Sequence, residues 1–383
     1  MRIDQPWLND PATQAVCKAV TADGAQLLFV GGCVRNALLG EPVSDMDIST
    51  DALPDQVMEL AARAGIKAIP TGIDHGTVTL VKNGIPHEIT TFRKDVATDG
   101  RRAVVAFSKD ITEDARRRDF TMNAIYARPG GEIVDPLGGI TDLKARRVRF
   151  IGSAENRIRE DYLRSLRYFR FHAWYGDHAE GFDANALAAI AANLDGLATL
   201  SKERIGAELL KLLAAPDPAP SVAAMRQSGA LIHVLPGADD RALAPLIHLE
   251  GDRAASPIRR LAALGGEGVQ EALRLSKAQA AHLAAIRDAA EGTAGAGELG
   301  YRLGAKQALD ALLLRAALLE QPVSPGLEPD VALGADAVFP VKARDLLPDY
   351  KGPALGAALK KLEADWIASG FALSREELLA SLR

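Results

Sequence analysis

The chain has 383 residues, enough for two to four domains, and its 48% hydrophobic and 25% charged content is that of an ordinary globular protein. Two cysteines, Cys17 and Cys33, exclude a disulfide framework, and no apolar run is long enough to span a bilayer, so a cytoplasmic protein without membrane contact is expected. The net charge of −5 argues against nucleic acid until it is resolved along the chain: residues 101–171 hold 16 Lys/Arg against 10 Asp/Glu, a local basic zone that fits a specific phosphate-rich ligand better than a general polyanion binder.

Asn9 or Asp10, followed by Pro11, predicts an N-cap and first turn for a helix running toward Asp23-Gly24. Gln26–Val30 reads as a strand, Gly31-Gly32 as a turn able to cradle phosphate, and Arg35–Leu39 as the short helix that the turn opens. Met46–Ser49 is the next strand-like run. Asp45 and Asp47, two residues apart there, would project to one face and could hold divalent metal against phosphate oxygens. Pro54 opens a helix to about Ala64. Thr77–Lys82 and Pro86–Phe92 alternate around Asn83-Gly84, a hairpin pattern that places Glu88 on a strand. Glu88 is a candidate third carboxylate, for metal or for polarising a hydroxyl. A second hairpin is expected between Asn123 and Val134, around Pro129-Gly130-Gly131. Residues 1–138 thus predict a small α/β domain with a mixed sheet.

Arg116-Arg117-Arg118-Asp119 and the nearby Asn123 combine cations suited to triphosphate oxygens with groups able to hold a ribose hydroxyl. From Thr141 onward the pattern is helical. Ser153 predicts the cap of one long helix reaching about Tyr175, with Ile158, Tyr162, Leu166 and Phe169 as its buried stripe. On that helix Asp161 and Arg164, three apart, would share a face and could bond the Watson–Crick edge of a base. Arg167 and Arg170 follow as further candidates for nucleotide binding. Ser201 starts another helix, and Ala-Pro-Asp-Pro-Ala-Pro at 215–220 predicts a hinge. Beyond it lie helical patterns without clustered chemistry.

Together these residues resemble the class II tRNA nucleotidyltransferase (CCA-adding enzyme) and bacterial poly(A) polymerase family. Gly31-Gly32-x-Val34-Arg35 with Asp45-x-Asp47 is similar to its first motif, and Arg117-Arg118-Asp119-Phe120-Thr121-x-Asn123-Ala124 to its ribose-recognition motif. Glu160-Asp161-x-x-Arg164 resembles its base-selecting motif, and Ser201-x-Glu203-Arg204-Ile205 the helix that follows. The resemblance implies an α+β nucleotidyltransferase head of polymerase β type with a mixed sheet, followed by an all-α neck, body and tail. The expected divisions are a catalytic head at 1–138, a neck at 139–214, a body at 215–320 and a tRNA-binding tail at 321–383. Two Mg²⁺ ions, roughly 3.5–4 Å apart, would sit on Asp45 and Asp47, with Glu88 beside them. Gly31, Gly32, Arg35 and Arg118 would hold phosphates, Asp119 and Asn123 the ribose side, and Asp161 with Arg164 the base. Asn36 stands where the family usually has Asp; the amide keeps an acceptor oxygen but loses the charge.

The implied reaction is template-independent addition of CCA to the 3′ end of tRNA from CTP and ATP, releasing pyrophosphate. Poly(A) synthesis or A-only addition is the alternative, and an idle RNA-binding protein of the same fold a further one. Thr71-Gly72-x-x-His75-Gly76-Thr77 is similar to the CCA-adding branch, and the C-terminal segment lacks the basic extension of poly(A) polymerases. Asp95-x-x-x-Asp99-Gly100-Arg101-Arg102 resembles the loop needed for the final A. The oligomeric state is not implied.

Overall fold

Asp10 accepts hydrogen bonds from the backbone N–H groups of Ala12 and Thr13 at 2.8 and 3.3 Å and so starts the helix Pro11–Val20. A computed structural model of the chain describes residues 1–99 and 102–382. Residues 1–208 with 220–234 form one unit, and residues 209–219 with the chain from Leu235 onward form a second.

Among its described residues the first unit has nine strands: β1 (Leu27–Val30), β2 (Asp47–Thr50), β3 (Lys67–Gly72), β4 (Thr77–Lys82), β5 (Ile85–Thr91), β6 (Arg93–Asp99), β7 (Arg102–Phe107), β8 (Tyr126–Ala127) and β9 (Ile133–Val134). Seven form a mixed sheet in the order β3-β4-β5-β2-β1-β8-β9, in which β2 and β5 run parallel and the other neighbours antiparallel. The continuous apolar run of β1 is buried along its whole length, as a central strand requires. The hairpin between β4 and β5 turns at Asn83 and Gly84, both at positive φ (52° and 80°). β6 and β7 pair separately; Gly100 and Arg101, within the Asp95–Arg102 resemblance, lie outside the described residues.

The expected single helix from Ser153 to Tyr175 is two helices, Ala154–Glu160 and Leu163–Tyr175. Asp161 breaks it. Its backbone is extended (φ −155°, ψ 105°), and its Oδ1 accepts from the N–H of Leu163 at 3.1 Å, a local bond that competes with helix continuation. Tyr162 at the break packs against Gly196, where a Cβ would fall 2.0 Å from the tyrosine ring. The second helix docks through aromatic contacts: the ring of Phe120 lies 5.0 Å from Phe150 and 4.9 Å from Phe171, and Phe150 stacks on Tyr168 at 5.6 Å. Such pairs are each worth about 0.5–1.5 kcal/mol beyond area burial, which ties the Arg118–Asn123 segment to this helix.

The second unit is helical. Its interior holds a buried ion network in which Glu250 accepts from Arg259 and Arg260, and Asp310 from Arg259. Arg260 also donates to the carbonyls of Leu213 and Ala215 at 2.8 and 2.5 Å, holding the segment before the 215–220 proline run. Trp366, Leu362 and Leu378 centre a separate apolar cluster near the C-terminus. Among the described residues no helix is long and apolar enough to cross a membrane.

Candidate active site

The apolar strand β1 delivers the chain into Gly31 at φ 75°, ψ −127°, a conformation closed to residues with a Cβ. A Cβ there would lie 3.7 Å from Asp47 Oδ2 and 3.7 Å from Arg118 Nη1, so the turn faces both groups. Asp47 opens β2, registered with Val30 on β1 and with Glu88 on β5. Asp45 lies just before the strand and is exposed. Asp47 is an exposed residue, yet partial desolvation of its carboxylate pushes its pKa up; Arg118 opposes this and Asp45 adds to it. Two carboxylates with incomplete neutralisation are the oxygen donor set that a hard divalent cation takes. Glu88 is exposed in register with Asp47, but among the described residues no three His, Cys, Asp or Glu side chains gather as a ligand cluster. Asp45 and Asp47 remain the candidate donor pair.

The structure gives the three successive arginines different surroundings. Arg118 donates from Nε to the Tyr126 hydroxyl at 3.2 Å and from Nη2 to Asp114 at 3.1 Å and Ser49 at 3.3 Å. Burial disfavours its charge, but Tyr126 and Asp114 outweigh that and hold it firmly protonated. Burial likewise pushes Asp114 up, whereas Arg118 and Arg117 hold it below the ordinary carboxylate range. Arg117 pairs with Asp114 at 2.9 Å. Arg35 is buried and largely committed: Nη1 donates to Asn123 at 2.5 Å, Nη2 to the Tyr175 hydroxyl at 2.8 Å, and its guanidinium sits 4.0 Å from the Tyr175 ring centre.

Asp119 is buried. Its Oδ1 accepts from Asn123 Nδ2 and from the Phe120 N–H, both at 2.8 Å, while Oδ2 accepts from Nε and Nη2 of Arg167 at 2.8 and 2.6 Å. Burial raises its pKa, but Arg167 and Asn123 outweigh this and depress it. Glu208, itself buried, takes Arg170 at 2.6 Å and lies 3.9 Å from Arg167, completing the ladder Asp119–Arg167–Glu208–Arg170.

Asp161 and Arg164 do not share a helix face, because the helix breaks at Asp161. Its Oδ2 accepts from Arg204 at 2.7 Å. Arg164 binds Glu160 at 2.5 Å and the carbonyls of Arg157 and Arg117, both at 3.0 Å. Sequence reasoning missed Asp114, Tyr175 and Glu208, for which no local pattern exists. Glu160 and Arg204 lie within the family-like motifs, but no local pattern assigns either its partner.

A family model described as "Poly A polymerase head domain" matches residues 27–149, and one described as "Probable RNA and SrmB- binding site of polymerase A" matches 182–241. The chain is 34% identical to a CCA-adding enzyme of Geobacillus thermodenitrificans, over 94% of this chain and 93% of that protein. It is 42% identical to human mitochondrial CCA tRNA nucleotidyltransferase 1, over 56% of this chain and 50% of that protein. The crystal structure of the Bacillus stearothermophilus CCA-adding enzyme in complex with CTP superposes with a TM-score of 0.73 at 28% identity, covering 94% of both chains. A Thermotoga maritima CCA-adding enzyme complexed with tRNA shares the fold, at a TM-score of 0.69 and 19% identity, over 100% of both chains.

Proposed function

Since the chain belongs to the CCA-adding enzyme family, we infer that it adds CCA to the 3′ end of tRNA from CTP and ATP without a template, releasing pyrophosphate. The likeness to a CCA-adding enzyme over 94% of the chain carries this reading of the activity. The placement of Gly31, Asp47 and Arg118 around one space supports the site.

Asp45 and Asp47 would hold the divalent cation that nucleotidyltransferases use, Mg²⁺ in our reading, supplying positive charge for the triphosphate and the attacking hydroxyl. Gly31 leaves the space beside Asp47 open, and the backbone N–H groups of the first turn of the helix Gly32–Leu39 suit phosphate oxygens. Arg118, locked by Asp114 and Tyr126, presents a fixed cation at that space. Glu88, in register with Asp47, would orient the tRNA 3′-hydroxyl. Asp119 and Asn123 set the ribose side through Arg35 and Arg167. Asp161, with Arg204 and Arg164, would read the incoming base, so that protein side chains replace a template.

The division into a head at 1–138, a neck at 139–214, a body at 215–320 and a tail at 321–383 is our functional reading, with the last two gripping tRNA by shape and backbone. The two buried free cysteines suit a reducing cytoplasm. The deciding experiment offers the protein a tRNA ending at the discriminator base with CTP and ATP, singly and together. Two added nucleotides with CTP alone and three with both are expected. Long A-tails from ATP alone would overturn the reading.

A further inference from the structure

Apart from the nucleotide site, the first unit contains a cavity of about 550 Å³ bordered by the segments around Arg116 and Arg149 and by the helix Ala154–Glu160. Three arginines line it, Arg116, Arg149 and Arg157, and none of its described lining residues is acidic. Arg149 pairs with the buried Asp142 at 2.8 Å, but Asp142 also accepts from Thr121. Arg157 pairs with Glu160, which Arg164 shares, and donates to the carbonyl of Arg116 at 3.0 Å. The Arg116 side chain is exposed and makes no hydrogen bond or ion pair among the described residues.

The cavity therefore carries surplus positive charge, with one guanidinium free. Phe150 and Leu137 supply apolar wall, and Asn156 an uncharged amide. A lone inorganic anion needs far less room; pockets of roughly 300–1,000 Å³ take ligands of nucleotide size. Arginine is the side chain suited to bidentate phosphate recognition.

We propose that this cavity binds a nucleotide through its phosphate, either a unit of the tRNA strand or a second free nucleotide. The tRNA source rests on the function proposed above. Arg116→Glu is the probing variant, because that side chain has no partner to lose. The full-length protein is titrated with a tRNA lacking CCA across a salt series, and CTP binding and KM are measured at saturating tRNA. For a tRNA unit, Arg116→Glu weakens tRNA binding about tenfold and lowers the salt slope by about one, a far larger change than in CTP binding, and is largely rescued by Arg116→Lys. For a free nucleotide, CTP binding weakens and tRNA binding does not. Unchanged affinity for both overturns the proposal, and Arg116→Gln repeats the titration should Arg116→Glu lower the Tm. Failure of the wild-type protein to extend tRNA would instead overturn the proposed function, while the binding titrations still decide the cavity.

Discussion

Asn36 Oδ1 accepts from both Nε and Nη2 of Arg35, at 3.1 and 2.9 Å, while its Nδ2 donates to the carbonyl of Pro42 at 2.7 Å. One amide thus clamps the buried Arg35 and fastens the loop leading to Asp45. The acceptor role is one that an aspartate at this position also fills. The donor role belongs to the amide.

Asn36→Asp keeps the clamp on Arg35 and is expected to retain CCA addition to within a few-fold. Asn36→Ala strips one edge of a buried guanidinium and should cost about 1–3 kcal/mol of stability, with slower incorporation. Denaturant melts and single-turnover extension check both. An Asn36→Ala protein as stable as wild type would contradict the clamp.

Asp47 has a folded-state pKa raised above its ordinary value. Such a group favours folding in its protonated form, and that contribution is lost as pH rises through the raised value. At neutral pH without metal, ionised Asp47 therefore costs stability. Asp47→Asn should melt at or above the wild-type temperature in chelator, yet show no incorporation and no stabilisation by Mg²⁺. Retention of Mg²⁺-dependent extension would remove Asp47 from the metal site.

Asp119 behaves oppositely. Its depressed pKa contributes stability that is full above the ordinary value of 3.8 and is lost as pH falls through the lower folded value. Stability measured against pH should drop below about 4 in wild type and flatten there in Asp119→Asn. Asp119→Ala leaves Arg167 unpaired on that side and should destabilise by about 3–5 kcal/mol. An unchanged acid limb in Asp119→Asn would show that other carboxylates carry it.

The Arg204–Asp161 contact predicts that Arg204→Ala alters the choice between CTP and ATP much as Asp161→Ala does. A double-mutant cycle on selectivity should return a coupling of about 0.5–3 kcal/mol, the range for residues in contact. Strictly additive effects would mean that Arg204 plays no part in base reading.

Strands β1, β2, β4, β5, β8 and β9, the Asn83-Gly84 hairpin, the cap before Pro11 and the Gly31 turn were legible because each depends on a few neighbouring residues, whereas β3, β6 and β7 are not predicted as strands. A cap needs one side chain, a tight turn needs a glycine at positive φ, and strands announce themselves by apolar runs or alternation. The break at Asp161 was not legible. Apolar periodicity continues on both sides of it, and an aspartate that accepts from the second N–H beyond it looks in sequence like any helical acid.

The sequence by itself determined the mixed-sheet head, the helical remainder, the carboxylate pair and the arginine-rich segments, because local backbone preference and apolar patterning act over short stretches. Only the tertiary structure decided what each charge meets. Arg35 reaches Tyr175 across 140 positions, Arg167 reaches Asp119 across 48, and Arg204 reaches Asp161 across 43. A buried ion pair is chosen by which elements pack together and by the cost of leaving either charge unpaired, and neither is written at any one position of the chain.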